Sequence, residues 1–394
     1  MKTIMIKGFY GQDNLGDEIL LLSLMRWIAR NDFIARVSVG KHRARLKEVL
    51  SLSGGKAVFF SSSIFSEMYQ LLRSDVLLIG GGGLFPGGRV GLPLRLLVLA
   101  GLGRILGKTT VMVGVGVNPI KSRLTKAIWR LLAATCKIIT VRDNNSLKTL
   151  VGVLGEHQSR EKVQRCADLV FTLPPEDFYA AEKPKENIIA IVVAQPWSDN
   201  ERGDPRLDQR YNDLQDGLAR CIEQSAHAGL KTILIPFYYP GDIKFANELS
   251  ARCRLGTAEV CDDQTLSGRI CQIAASKLVL TMRFHGLVLG ALFSKKLLAI
   301  AYDYKMDELA NDLGVDDNVV HLGIRQREFY GNEVDVDFYA LSARLDQAIK
   351  SADLPEYSEQ RIEIIRLAKN NIYFLERALG VGGSTAVQKT VSLD

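Results

Sequence analysis

The chain has 394 residues, more than one hydrophobic core ordinarily supports, so its length predicts two domains. Apolar residues make up 47% and charged residues 24%, the proportions of a soluble globular protein. The net charge of +6 slightly favours acidic ligands, and with no arginine-rich run or recognisable nucleic-acid module it gives no reason to expect a nucleic-acid partner.

In chain order, the first half alternates strand and helix. Residues 3–9 read as a strand, followed by a turn and a helix over about 17–29. Short strands at 37–39 and 57–60 have helical stretches between them. Residues 75–79 form an apolar strand that runs into Gly80, Gly81, Gly82 and Gly83. Strands are expected at 109–117 and 137–141, with a helix over 122–135 between them. A further helix has Asn144 or Asn145 near its cap, and a strand over 168–173 closes the half. Repeated β-α units of this kind predict a doubly wound parallel sheet.

A polar, proline-bearing stretch places a linker at 176–187, and the rhythm then restarts. Strands are expected at 188–194, 231–236, 277–281 and 296–302, and helices at 211–228, 242–252, 265–275 and 287–293. The expected division is a Rossmann-like domain over 1–175, a second over 188–350, and a helix over 356–380 packed back on the first. Residues 381–394 read as a mobile tail. The fold class is therefore α/β, with two doubly wound domains facing a cleft.

The six cysteines form no Cys-x-x-Cys pair and no Cys/His cluster at zinc spacing, which points to a reducing compartment and no structural metal. The first seven residues lack the apolar core and cleavage site of a signal peptide, so a cytoplasmic chain is expected. Arg95, Arg104 and Lys108 interrupt the longest apolar region, 92–117, which rules it out as a single membrane-spanning helix. With Arg89 they read first as a solvated basic face, and second as a surface for loose contact with anionic lipid head groups at the inner face of the membrane.

Chemistry concentrates where strands end. Arg283 and His285 lie between the strand at 277–281 and the helix at 287–293. Ligands of parallel sheets bind at that edge, and a helix N-terminus there suits an anion. Histidine is the one side chain with an unperturbed pKa near neutrality, as a general acid or base requires. Asp303 and Lys305 follow the next strand. In the first half, Asn14 and Asp17 sit on a glycine-punctuated turn, Glu18 reads as a helix-dipole partner, and Gly81, Gly82 and Gly83 allow close backbone approach. Asn118 and Arg142 end two further strands. The turn is neither G-x-G-x-x-G nor a Walker loop, and G-x-S-x-G and H-E-x-x-H are absent.

The ordered set GFYGQDNLGDE, GGGG, GVGVNPI, ITVRDNNSLKTL, CADLVF, MRFHGLVLGAL and AIAYDYKMDEL resembles the polysaccharide pyruvyl transferase family over roughly residues 1–315. That resemblance implies a two-Rossmann, glycosyltransferase-B-like fold. It also implies transfer of the enolpyruvyl unit of phosphoenolpyruvate to two hydroxyls of a sugar, with release of phosphate and no metal or organic cofactor. Arg142, Arg283 and Lys305 would then hold phosphoenolpyruvate on a donor site in the second domain, and His285 would be the general acid. The partners expected are phosphoenolpyruvate and a glycan acceptor, free, polymeric or lipid-linked; oligomeric state is open. Two departures from the family pattern, Leu84-Phe85-Pro86-Gly87-Gly88-Arg89 after the glycines and Tyr302-Asp303-Tyr304-Lys305, bear on Arg89 and Lys305. The loop 196–210 is either an acceptor contact or a solvated charged loop.

Three other readings compete. A nucleotide-sugar glycosyltransferase on the same architecture is the nearest, but no acid lies between His285 and Asp303 to hold a donor ribose. A catalytically silent assembly subunit leaves Arg142, Arg283 and His285 together without a purpose. An oxidoreductase lacks the dinucleotide fingerprint.

Overall fold

The computed structural model describes residues 1–42, 44–85, 90–178, 187–196, 205–254, 256–302, 304–322, 337–350 and 357–381. The chain divides into two compact units, Met1–Leu173 with Glu363–Asp394, and Pro174–Ile362.

The first unit carries strands β1 (Thr3–Lys7), β2 (Ile34–Val39), β3 (Lys56–Ser61), β4 (Val76–Phe85), β5 (Thr109–Val117), β6 (Cys136–Val141) and β7 (Val163–Arg165). Between them run helices α1 (Leu15–Arg30), α2 (Ala44–Ser53), α3 (Ile64–Leu72), α4 (Gly91–Ile105), α5 (Arg123–Thr135), α6 (Asn144–Leu154) and α7 (Glu156–Lys162). The sheet order is β3-β2-β1-β4-β5-β6-β7, and every neighbouring pair is parallel. The second unit repeats the plan. Its strands are β8 (Ile188–Val193), β9 (Lys231–Pro236), β10 (Ala258–Val260), β11 (Leu278–Thr281), β12 (Lys296–Ala301) and β13 (Val319–His321). Its helices are α8 (Pro205–His227), α9 (Gly241–Arg252), α10 (Leu266–Ala275), α11 (Phe284–Leu292), α12 (Tyr304–Leu313) and α13 (Phe338–Lys350), and α14 (Ser358–Leu379) closes the chain. The order β10-β9-β8-β11-β12-β13 is again wholly parallel.

In each sheet the winding reverses once, between β1 and β4 in the first and between β8 and β11 in the second. At such a point the two flanking loops diverge and open a crevice at the carboxyl edge. Right-handed crossovers put α3, α4 and α5 on one face of the first sheet, over a core that includes Leu77, Ile79, Leu99, Met112 and Trp129. From Glu363 onward, α14 belongs to the first unit. Asn371, fully buried, donates to the Ala167 carbonyl (2.8 Å) and accepts from the Thr140 hydroxyl (2.5 Å), while Glu376 accepts from the Trp27 indole (3.1 Å).

Several sequence expectations need correcting. β4 does not stop at Ile79: it pairs with β5 through the glycines as far as Phe85, with a shift in register between Gly82 and Phe85. Gly81 (φ +65°) and Gly82 (φ +81°) adopt left-handed backbone that a side chain would oppose. Residues 168–173 are not a strand. Asp168 instead accepts from the Val170 N–H (3.0 Å) and starts a 3-10 turn over Leu169–Thr172, while the last strand of this sheet is β7. The N-cap of α6 is Asp143, and Asn144 and Asn145 follow it in the first turn, near the cap as expected. Arg95 is not part of a solvated basic face, because its guanidinium meets the buried Glu67 at 2.8 Å. Asp303, Arg89, most of the 196–210 loop, most of the 176–187 linker and all but the first residue of the 381–394 tail lie outside the described residues.

Candidate active site

In the second unit, β11 ends at Thr281 and α11 begins at Phe284, with Arg283 as its N-cap in extended conformation. The Thr281 hydroxyl fixes this turn by accepting from the Arg283 N–H (3.0 Å) and donating to the Arg283 carbonyl (2.8 Å). Gly286 lets the helix start close to the sheet, since a Cβ there would lie 2.2 Å from Thr281 Oγ1 and 3.0 Å from Val192 Cβ. The Arg283 carbonyl accepts from the Gly286 (2.9 Å) and Leu287 (3.2 Å) N–H groups, so the positive end of α11 lies at the carboxyl edge of the switch point, with half-buried His285 on its first turn.

Arg283 is held by a residue that sequence reading missed. Asp242, in the first turn of α9, is fully buried and accepts from the backbone N–H groups of Gln195 (3.0 Å), Phe237 (3.2 Å) and Tyr238 (2.8 Å). Both its oxygens also take the Arg283 guanidinium, Nε at 3.0 Å and Nη2 in a second, short contact. The Arg283 side chain remains 23% exposed, with Tyr302 Oη 3.4 Å from Nη1 and the Tyr238 ring 5.9 Å away. Burial works against its charge, but Tyr302 and Asp242 outweigh that and hold its pKa above the ordinary value. An acid at the start of a helix usually serves the dipole, and nothing in the sequence ties Asp242 to an arginine 41 positions on. Lys305 lies in the first turn of α12, after the neighbouring strand, with its ammonium 5.7 Å from the Tyr304 ring.

The switch point of the first unit gathers Asn14, Asp17, Gly81 and Gly82. Asn14 caps α1, accepting from the Gly16 N–H (3.2 Å) and donating to Asp17 (2.8 Å). A Cβ on Gly82 would lie 3.0 Å from Asp17 Oδ1, so the glycine makes room for that carboxylate. The Tyr10 hydroxyl donates to the Gly80 carbonyl (2.7 Å), joining the β1 turn to β4. Glu18 proves to be more than a dipole partner. It is buried and accepts from the Gly11 N–H (2.8 Å), and burial pushes its carboxyl up to about 8. Gly83 is exposed beside this group, and Asn118 stands at the end of β5.

Arg142 follows β6, but its guanidinium is 3% exposed, 3.3 Å from Asp168 and 3.5 Å from Asp143. It packs over Gly116, where a Cβ would come within 2.9 Å of Nε. Two carboxylates thus balance this buried guanidinium where β6 ends. Among the described residues, no group of His, Cys, Asp and Glu is arranged to hold a metal ion.

The profile of the polysaccharide pyruvyl transferase family matches residues 14–304, from the α1 cap to the start of α12. The chain belongs to that family. The matched span takes in Asn14, Asp17, Arg142, Asp242, Arg283 and His285 and ends one residue before Lys305. None of the curated proteins matches the chain. Solved structures share its fold at low identity. The S. aureus MnaA–UDP structure superposes with a TM-score of 0.63 at 11% identity, over 99% of this chain and 100% of that one. A putative UDP-N-acetylglucosamine 2-epimerase from Listeria monocytogenes gives 0.65 at 9%, over 99% of each chain. The spinosyn rhamnosyltransferase SpnG gives 0.54 at 10%, over 97% of this chain and 100% of that one. The family member described here is therefore built on the two-Rossmann, glycosyltransferase-B-like fold, and its family implies a transferase of polysaccharide pyruvylation.

Proposed function

We propose that the protein transfers the enolpyruvyl unit of phosphoenolpyruvate to two hydroxyls of one sugar in a bacterial exopolysaccharide or cell-wall glycan precursor. Besides the family, one observation carries this reading: Arg283, held by Asp242 at the switch point of the second sheet, stands beside His285 at the N-terminus of α11. The fixed guanidinium and the helix N-terminus suit a small, highly charged anion, whose phosphate and carboxylate Lys305 would help to neutralise. His285 would donate a proton to the methylene carbon, leaving an oxocarbenium-like carbon for the first hydroxyl to attack. Loss of phosphate regenerates a cationic carbon, and the second hydroxyl closes the ketal. The two hydroxyl protons balance the methyl group formed and the released phosphate. Arg142, enclosed by Asp168 and Asp143, is assigned to positioning rather than to donor contact. Asn14, Asp17, Gly81, Gly82, Gly83 and Asn118 line the carboxyl edge of the first sheet, where acceptor contacts are proposed. The reaction would take place in the cytoplasm, with the acceptor free, polymeric or lipid-linked.

The experiment is phosphate release from phosphoenolpyruvate with a panel of lipid-linked and free sugars, with His285→Ala as the comparison. Acceptor-dependent release should fall by about 10²–10⁴-fold in the variant. Turnover with a nucleotide sugar but not with phosphoenolpyruvate would replace this reading with that of a glycosyltransferase.

A further inference from the structure

Between Val76 and Arg142 the chain has ten lysines and arginines and no aspartate or glutamate. Two of these cations meet buried carboxylates, the partly exposed Arg95 on Glu67 and the buried Arg142 on Asp168. By contrast, Arg104, Lys121, Arg123, Arg130 and Lys137 are exposed, and none meets a carboxylate among the described residues. Arg104 and Arg130 donate to the carbonyls of Ala134 (3.2 Å) and Val153 (2.6 Å), contacts that steady them without neutralising them.

The same helices expose apolar side chains in register. On α3, Phe65, Tyr69 and Leu72 recur at helical spacing on the outer side, and its one acid, Glu67, points inward and is fully buried. On α4, Leu94, Val98 and Ile105 form a second stripe, with Ile105 84% exposed. On α5, Leu124 and Leu131 form a third. Right-handed crossovers put all three helices on one face of the first sheet, so the stripes lie side by side. Scattered exposed leucines need no explanation, but three adjacent apolar stripes among unbalanced cations do. Among the described residues no helix is long and apolar enough to cross a membrane.

We propose that this face, the outer side of α3, α4 and α5, docks on the surface of an anionic lipid bilayer. The apolar stripes would enter the boundary between head groups and acyl chains, while the cations meet lipid phosphates. Charge selects this occupant over a second copy of the chain, because a twofold contact would set the same cations against each other. Docking of this kind requires nothing of the donor site and stands apart from the transfer chemistry.

The test is co-sedimentation of the full chain with phosphatidylcholine vesicles, with and without about one-third phosphatidylglycerol. The protein should pellet with the anionic vesicles alone and release as salt rises. Lys121→Gln with Arg123→Gln should weaken binding by roughly 30-fold, at about fivefold per cation. Phe65→Ser with Ile105→Ser should weaken it as well, with unchanged circular dichroism because both side chains are exposed. Arg30→Gln with Lys47→Gln, on the helices of the other face, should leave it nearly intact. Binding that is absent, equal on neutral vesicles, or lowered equally by the control pair would overturn the proposal. So would a dimer in sedimentation equilibrium that the Phe65 and Ile105 substitutions dissolve while vesicle binding persists.

Discussion

Asp242 takes five donors, three from the backbone and two from Arg283, so its replacement tests position against charge. Asp242→Asn keeps the size but presents an NH2 group where an acceptor is required and removes the countercharge. Breaking a buried charged contact of this kind costs about 2–5 kcal/mol. Phosphoenolpyruvate affinity measured by calorimetry should therefore fall by at least about tenfold, as Arg283 loses its fixed geometry. Tighter binding would mean instead that Asp242 competes with the ligand. Glu18 makes a prediction about pH. Burial raises its carboxyl from the ordinary 4.5 to about 8, so the folded protein binds a proton there that the unfolded chain has released. Stability from this group is full below pH 4.5 and is lost as pH rises through about 8. Glu18→Gln should flatten that slope, which is on the order of a few kcal/mol across the window, in denaturant titrations at a series of pH values.

At the scale of elements, the approach of α11 to its sheet sets the place of His285. Gly286 and Gly290 lie one turn apart on the buried side, where Cβ atoms would come 2.2 Å from Thr281 Oγ1 and 2.5 Å from Leu297 Cδ2. Thr281 has little room to yield, because it is fully buried and its hydroxyl holds both polar groups of the Arg283 backbone. Gly286→Ala should therefore lift the start of α11 and lower stability by about 1–3 kcal/mol in urea unfolding. It should also lower the rate of phosphate release more than the affinity for phosphoenolpyruvate, since His285 moves with the helix. Retained stability together with retained rate would show that the turn tolerates the extra carbon.

Across the whole molecule, the first unit is assembled from the two ends of the chain. Asn371 on α14 reaches Thr140, 231 positions earlier, and the Thr140 hydroxyl in turn accepts from the Gly114 N–H at 2.8 Å. Asn371→Ala would leave the Thr140 hydroxyl and the Ala167 carbonyl buried without this partner, at about 1–3 kcal/mol for each group. Hydrogen exchange should accelerate in β5, β6 and α14 and stay unchanged in β8–β13. Uniform acceleration would mean that the two units unfold as one.

What the sequence determined by itself is local and periodic. Apolar runs broken by glycines and by capping Ser, Asn and Asp encode alternating strands and helices, and strands joined in turn by crossover helices pair as a parallel α/β layer. Its ordered motifs were enough to read the family, and Arg283 and His285 were legible as the end of one strand and the start of one helix. Tertiary structure decided the partnerships, because charges far apart in the chain meet only where the sheet order brings them together. Asp242 and Arg283 are joined at one switch point, Asp168 encloses Arg142, and Glu67 draws in Arg95. Burial also turned Glu18 from a helix-dipole acid into a group that keeps its proton near neutrality. A carboxylate or a guanidinium has the same local signature whether it is solvated or buried, and only the packed fold fixes which charge balances it.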